Sequence, residues 1–338
     1  MSLGAEWSIK RTNQHYQFSD FGTDGAAGLA TTDQYNASDS LVAAYTTVQK
    51  SIGSLTVEPG LRMEDDSRRV SSPVVRELRI ERTGFFPSLH LKYSLAKALD
   101  ITASYSKRVD RTPLEYLRPY RMIENAATIF QGNPDLKDQS TSAYELNLHY
   151  HVGSIDIGTI IYHRETRDLW SKSYLAEAKG VNVYTYINSG NRRDSGIEVD
   201  LGAPVMKHIK TNLILNVFDQ RTPLDPLSGF ASNTTFRYST NGSIQWGGPD
   251  RGYIPGDVVQ LQWTYASPSR TYELRDLAWV EGILSYTRSF SPSLSLTSSL
   301  QVRAPNRERL FAPLLQEYDS TQRNAELKIK LLKILGKR

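Results

Sequence analysis

Cysteine is absent from the 338 residues, which removes disulfides, thiolate metal sites and cysteine nucleophiles together. No apolar run approaches the ~18 residues that a membrane-spanning helix needs. There is no phosphate loop, dinucleotide fingerprint or nucleophile elbow, so the sequence offers no local support for a nucleotide enzyme or a hydrolase triad and implies no cofactor. An excess of one charge is missing as well: 40 basic residues face 36 acidic ones, for a net charge of +4. The two signs are interspersed, which argues against nucleic acid as a partner. A leader is also lacking. Met1-Ser2-Leu3-Gly4 runs straight into strand-like sequence without a basic stretch and an apolar core, so the chain either stays in the cytoplasm or is a mature fragment, and the features below favour the fragment.

What is present is 22% charged and 39% hydrophobic residues, enough to exclude a disordered chain. Aromatics are plentiful, with 19 Tyr, 10 Phe and 5 Trp. Helical periodicity is missing over most of the length, and strict alternation takes its place. Leu294, Leu296, Leu300 and Val302 share one parity, while Ser293, Ser295, Thr297, Ser299, Gln301 and Arg303 share the other. Side chains alternate across a strand, so one face is apolar and the other polar. Tyr144, Leu146, Leu148, Tyr150 and Val152 oppose Glu145, Asn147, His149 and His151 in the same way. Mean hydropathy is negative, as it is for transmembrane β-barrels, whose alternating strands average to polar.

About fourteen such segments can be counted, each near or beyond the ~9–11 residues that cross a bilayer at a tilt. They begin near Gly4, Asp39, Ser54, Gly84, Leu99, Thr141, Ser154, Tyr184, Ile209, Phe236, Asp257, Leu277, Ser293 and Arg323. Short connections, such as Gly153, alternate with long polar ones, such as Thr112 to Ser140 and Ser171 to Val183; Gly247 to Gly256 is an exception. This alternation matches short periplasmic turns and long external loops, with both termini on the short-turn side. The expected fold is an all-β antiparallel transmembrane barrel of about 14 strands, one domain over residues 1–338, in the bacterial outer membrane. A soluble β-sandwich binding module also produces alternation. A self-contained passive pore is a further alternative, and it requires Gly4–Tyr16 to hydrogen-bond with Arg323–Leu335.

Three stretches carry a family resemblance. Gly132-Asn133-Pro134-Asp135-Leu136-Lys137 followed by Tyr144-Glu145-Leu146 resembles a signature of TonB-dependent outer-membrane receptors. Phe86-Pro87-Ser88-Leu89-His90-Leu91-Lys92-Tyr93, with Tyr105-Ser106-Lys107-Arg108 and Arg111-Thr112-Pro113, is similar to another stretch of the same barrels, and Gly60-Leu61-Arg62-Met63-Glu64 to a third. The resemblance implies a C-terminal barrel portion of such a receptor, in contact with outer-membrane lipid. In full-length form it implies a plug domain and TonB as partners, and a small-molecule or oligomeric nutrient as ligand. Receptors of this kind have a plug and about 22 strands. This sequence opens inside barrel strands and ends Ile334-Leu335-Gly336-Lys337-Arg338, where an aromatic residue is usual.

The Asn-Pro-Asp run is turn chemistry: Pro134 fixes φ, Asp135 can bond its own backbone, and Gly132 tolerates unusual dihedrals. It is expected to be a folding element, with Leu136, Tyr144 and Glu145 as parts of the same motif, and not a substrate site. Arg118, Tyr120, Arg121, Glu124 and Phe130 mix basic and aromatic character on the longest external loop, which suits ligand capture. His149 and His151 share a strand face at a spacing that can clamp a metal, but no neighbouring carboxylate stands at ligand spacing along the sequence and no metal site is expected. Asp65-Asp66 and Asp219 to Asp225 read as solvated loop charge. Trp7, Tyr16, Tyr45, Tyr93, Tyr105, Tyr150, Tyr162, Trp170, Trp246, Trp263, Tyr265, Trp279 and Tyr286 are expected near strand ends as interfacial girdles.

Overall fold

The computed structural model describes residues 1–21, 27–71, 77–118, 121–125, 128–176, 182–222, 233–247, 257–270, 274–276, 278–291, 293–310 and 319–333. Its main sheet has 17 strands, three of which are pieces of two or three residues. The other fourteen form the wall. They are β1 (Ser2–Phe21), β2 (Ala27–Thr47), β3 (Leu55–Ser71), β4 (Leu78–Ala96), β5 (Leu99–Asp110), β6 (Gln139–Val152) and β7 (Ile155–Arg167). Then follow β8 (Arg192–Met206), β9 (Ile209–Thr222), β10 (Asn233–Gly247), β11 (Val258–Ala266), β12 (Trp279–Ser291), β13 (Leu294–Leu310) and β14 (Asp319–Lys333). Each pairs antiparallel with the next along the chain.

The turns at one end are tight because their residues accept left-handed backbone. Gly153 (φ 63°) joins β6 to β7, His208 (φ 80°) joins β8 to β9, and Gly53 (φ 59°) precedes β3. Ser2 lies opposite Thr47 and Lys333 opposite Leu294, so β1 starts and β14 finishes at this end. Among the described residues β1 pairs only with β2 and β14 only with β13, so the sheet is open along two edges. Among the described residues, the Gly4–Tyr16 to Arg323–Leu335 pairing that a self-contained pore requires is not made.

Side-chain character divides by parity as the alternation requires. Tyr144, Leu146, Tyr150, Val152, Leu261, Leu300 and Val302 all stand exposed on the outer face, an apolar surface of the kind that faces lipid. The opposite parity carries charge that pairs largely with itself. Arg164 donates twice to Glu145 (2.7 and 3.1 Å), Arg303 and Gln301 both reach Glu281 (3.1 and 2.6 Å), and Lys328 meets Glu326 at 3.0 Å. Among the described residues no helix is long and apolar enough to cross a membrane; the crossing elements are strands.

Two expectations are corrected. The segment from Tyr184 is not a wall strand. Trp170–Ala176 and Asn182–Asn188 form a hairpin at the long-loop end, and the wall resumes only at Arg192. Several aromatics also leave the proposed girdle. Tyr162 is buried on the inner face, donating to Asn216 (2.9 Å), and Trp279 lies inward with Arg303 5.9 Å from its ring centroid. Trp170 belongs to the hairpin, and the side chain of Tyr16 lies outside the described residues. Tyr162 fits because its cross-strand neighbour is Gly196, where a Cβ would stand 2.8 Å from the Tyr162 hydroxyl.

Candidate functional site

The long loops after β5 and β7 do not splay outward. Arg121–Asn125 and Thr128–Gln131 pair as one hairpin, and Thr128–Phe130 then pairs in parallel with Asn182–Tyr184 of the other. The result is a separate four-stranded sheet that joins both loops into a roof. Tyr184 and Tyr186 sit two residues apart and so share a face. Tyr186 stacks on Tyr116 (3.8 Å between centroids, 13°), and Phe130 packs 5.1 Å from Tyr184 and 6.2 Å from Tyr116. Lys172 Nζ lies 3.7 Å from the Tyr184 centroid. Such ring pairs add about 0.5–1.5 kcal/mol each beyond their burial.

The Asn-Pro-Asp run ties this roof to the wall. Gly132 passes so close to Arg118 that a Cβ would stand 2.0 Å from its carbonyl oxygen. The glycine is therefore required for contact, since it is not among the residues with positive φ. Asn133 receives the Asp135 amide on Oδ1 (3.1 Å) and donates from Nδ2 to the Tyr186 carbonyl (2.9 Å). The side chain that bonds the local backbone is thus Asn133, where Asp135 had been expected. Leu136 is fully buried, and its carbonyl accepts from Arg82 (3.0 Å). The Lys137 amide donates to Asn188 Oδ1 (2.8 Å), and its carbonyl accepts from Trp170 Nε1 (2.6 Å).

Asp138 closes the loop against the inner wall. Its Oδ1 accepts from the Thr112 amide (2.7 Å) and from Arg68 (3.3 Å) and pairs with Arg82. Burial works against its charged form. The Arg82 bond, the Thr112 amide and the Arg68 charge outweigh that and hold the carboxyl below its ordinary range. Arg68 is buried too, lying 2.8 Å from Asp66, while Arg111 pairs with Glu64 and approaches Asp66 at 3.7 Å.

Between the roof and the inner faces of β1 and β2 lies a chamber of about 700 Å³. Lys10, Thr12 and Asp39 line it from the wall, Arg111, Glu115, Arg118 and Glu124 from the loop, and Tyr116, Phe130, Tyr184 and Tyr186 give it aromatic surface. Of the loop residues singled out in the sequence, Arg118, Glu124 and Phe130 meet here. Phe130 is 4% exposed, and Glu124 accepts from Tyr184 Oη. Arg121 instead bonds Gln131 (3.2 Å) and does not line the chamber; Tyr120 lies outside the described residues. Tyr184 and Tyr186 are missed when that segment is read as wall, although their two-residue spacing marks a one-sided aromatic strand.

Tyr144 and Glu145 separate. Tyr144 faces outward 5.0 Å from Tyr105, while Glu145 faces inward to Arg164. His149 and His151 do meet a carboxylate, supplied by the neighbouring strand: His151 Nδ1 contacts Asp156, and His149 Nε2 lies 3.8 Å from it. Even so, among the described residues no group of three His, Cys, Asp or Glu could hold a metal ion.

An antiparallel wall with an apolar outer face, a charged inner face, short turns at one end and a roof at the other defines an outer-membrane barrel. The chain belongs to the outer membrane protein beta-barrel family, whose profile it matches over residues 1–308. The family places it in the bacterial outer membrane. No curated protein matches its sequence. Among solved structures it is similar to the siderophore receptor PiuA from Acinetobacter baumannii, at 11% identity and a TM-score of 0.65, over 98% of this chain and 52% of that one. The ferric preacinetobactin receptor BauA from the same organism gives 13% and 0.57, over 98% of this chain and 51% of that one. The siderophore receptor PirA from Pseudomonas aeruginosa gives 12% and 0.56, over 88% and 61%. The chain thus spans between 51% and 61% of the length of these three structures.

Proposed function

We propose that residues 1–338 act as one barrel domain, the wall and roof of a TonB-dependent-receptor-like uptake protein that takes a small-molecule ligand from outside. The observation that carries this reading is the chamber, which joins four aromatic rings to three basic and three acidic side chains at the long-loop end. The titles of the similar structures name siderophore and ferric preacinetobactin receptors, which makes ferric siderophores the first class to try. The open edges of β1 and β14 support a wall completed by strands outside these residues, with a plug in the lumen and TonB as the periplasmic partner. The bonds from Asn133, Leu136, Lys137 and Asp138 support a folding role for the Gly132–Leu136 motif.

Equilibrium fluorescence quenching with ferric enterobactin and a panel of other ferric siderophores tests the chamber. Phe130→Ala and Tyr186→Ala are expected to weaken the bound probe by about tenfold or more, the equivalent of one or two lost aromatic pairs. Tyr93→Ala, on the outer wall, should leave it unchanged. Absence of binding by every ferric probe removes the siderophore reading. Binding that ignores both chamber variants removes the chamber.

A further inference from the structure

The outer wall carries a polar cavity of about 350 Å³, formed by His163, Glu165, Arg193, Ser195, Asp219 and Arg221. Its height follows from the strand register. Ile161, Ile197, Val217 and Tyr238 run side by side across β7 to β10 as part of the apolar belt. One pleat nearer the long loops comes a row containing Tyr105, Tyr144, His163 and Phe236. Rings of this kind favour the level where lipid tails meet headgroups. One pleat beyond that, Lys107, Ser142, Glu165, Arg193 and Arg221 stand in line, and Arg167 follows on β7. Arg193 and Arg221, directly paired on adjacent strands and one pleat beyond the aromatic row, therefore stand near headgroup height, on the side that faces outside.

Arg193 and Arg167 are only loosely engaged, while Arg221 donates from Nε to Asp219. Arg193 lies 3.7 Å and Arg167 3.5 Å from the same carboxylate, Glu165, and Arg221 lies 3.1 Å from Asp219. The three arginine side chains stay 57–66% exposed. Three guanidiniums against two carboxylates leave the patch positive, and guanidinium forks match phosphate oxygens. We propose that this patch binds the phosphate of an anionic lipid headgroup in the outer leaflet, with Arg193 and Arg221 as the main ligands. The apolar belt directly below would hold the acyl chains, which is why a lipid, and not a free anion, is the occupant.

The chain, purified in detergent micelles doped with diphosphoryl lipid A, should retain that lipid in native mass spectrometry, and should retain far less of its dephosphorylated form. Arg193→Gln and Arg221→Gln should each lower retention about fivefold, and together by the product. Arg288→Gln, at the opposite rim beside Asp257 (3.9 Å), should not. If the double variant fails to fold, Arg221→Gln alone and the charge-keeping Arg221→Lys carry the test. The proposal is overturned by equal retention of dephosphorylated lipid, by unchanged retention in the variants, or by an equal loss in Arg288→Gln. It is also overturned if millimolar inorganic phosphate binds as well as the lipid, which would make this an anion site only.

Discussion

Leu300 offers a direct test of which face meets lipid. It stands six residues along β13 from Leu294, at the short-turn end. At ~3.3 Å per residue and a tilt of about 45°, that is roughly 14 Å into the membrane, close to the middle of an apolar band ~25 Å tall. Its side chain is 44% exposed, between Leu284 and Leu327. Arginine at that depth costs about 2–4 kcal/mol, so Leu300→Arg should shift the folding equilibrium in lipid by roughly 30- to 700-fold. Ser299 is the adjacent residue and points inward, between Ser285 and Lys328. Ser299→Arg meets water and one like charge, which costs about 1 kcal/mol or less. Urea titration in phospholipid vesicles, followed by tryptophan fluorescence, measures both. Equal destabilisation, or a larger effect at Ser299, would refute the inside-out assignment of the wall.

Gly132→Ala should detach the first loop from the roof, because the added carbon meets backbone at Arg118; limited proteolysis should then cut within residues 113–131, whereas Gly247→Ala, with nothing within 4 Å, should leave the pattern unchanged. Asp138→Asn should loosen the same loop at neutral pH, read as faster amide exchange around Thr112. The wild-type carboxyl is held below its ordinary value, so its contribution is complete above the ordinary carboxylate pKa of about 3.9 and is lost as pH falls through the lowered value. Protection of that amide relative to its intrinsic exchange rate should therefore persist in the wild type at pH 5 and fall only below about pH 4, while the variant should show no such step. Gly196→Val should disrupt the inner wall by driving a branched side chain against the Val217 carbonyl and Phe218, seen as a lower urea midpoint.

The wall was legible in the sequence because a two-residue period survives wherever one face meets lipid and the other water. Tyr144 to Val152 shows it without interruption, and Leu294 to Val302 with one break at Ser298. The roof was not legible, and the reason is physical. Tyr184 and Tyr186 alternate with Thr185 just as wall residues do, but their partners come from Phe130 and Tyr116, some fifty to seventy residues away. Local pattern specifies that a strand forms and says nothing of which strand lies beside it. The same limit hid Asp156 beside His149 and His151, since that contact arises from the register of two neighbouring strands. Gly132 was recognised, but for its freedom of rotation. The pressure on it is the passage of the Arg118 backbone, which no single-residue propensity reveals.

The parallel pairing of Thr128–Phe130 with Asn182–Tyr184 bears on the order in which the protein is built. The two partners flank β6 and β7, so they come together only after that hairpin has zipped and β8 is about to join. A slip of one residue in β6 against β7 would turn every side chain of one strand to the wrong face and carry the two loop strands out of step. The roof therefore depends on the register of the wall beneath it: its two strands meet only where β6 and β7 are aligned. Errors of register would then surface as an exposed, protease-sensitive loop before insertion is complete.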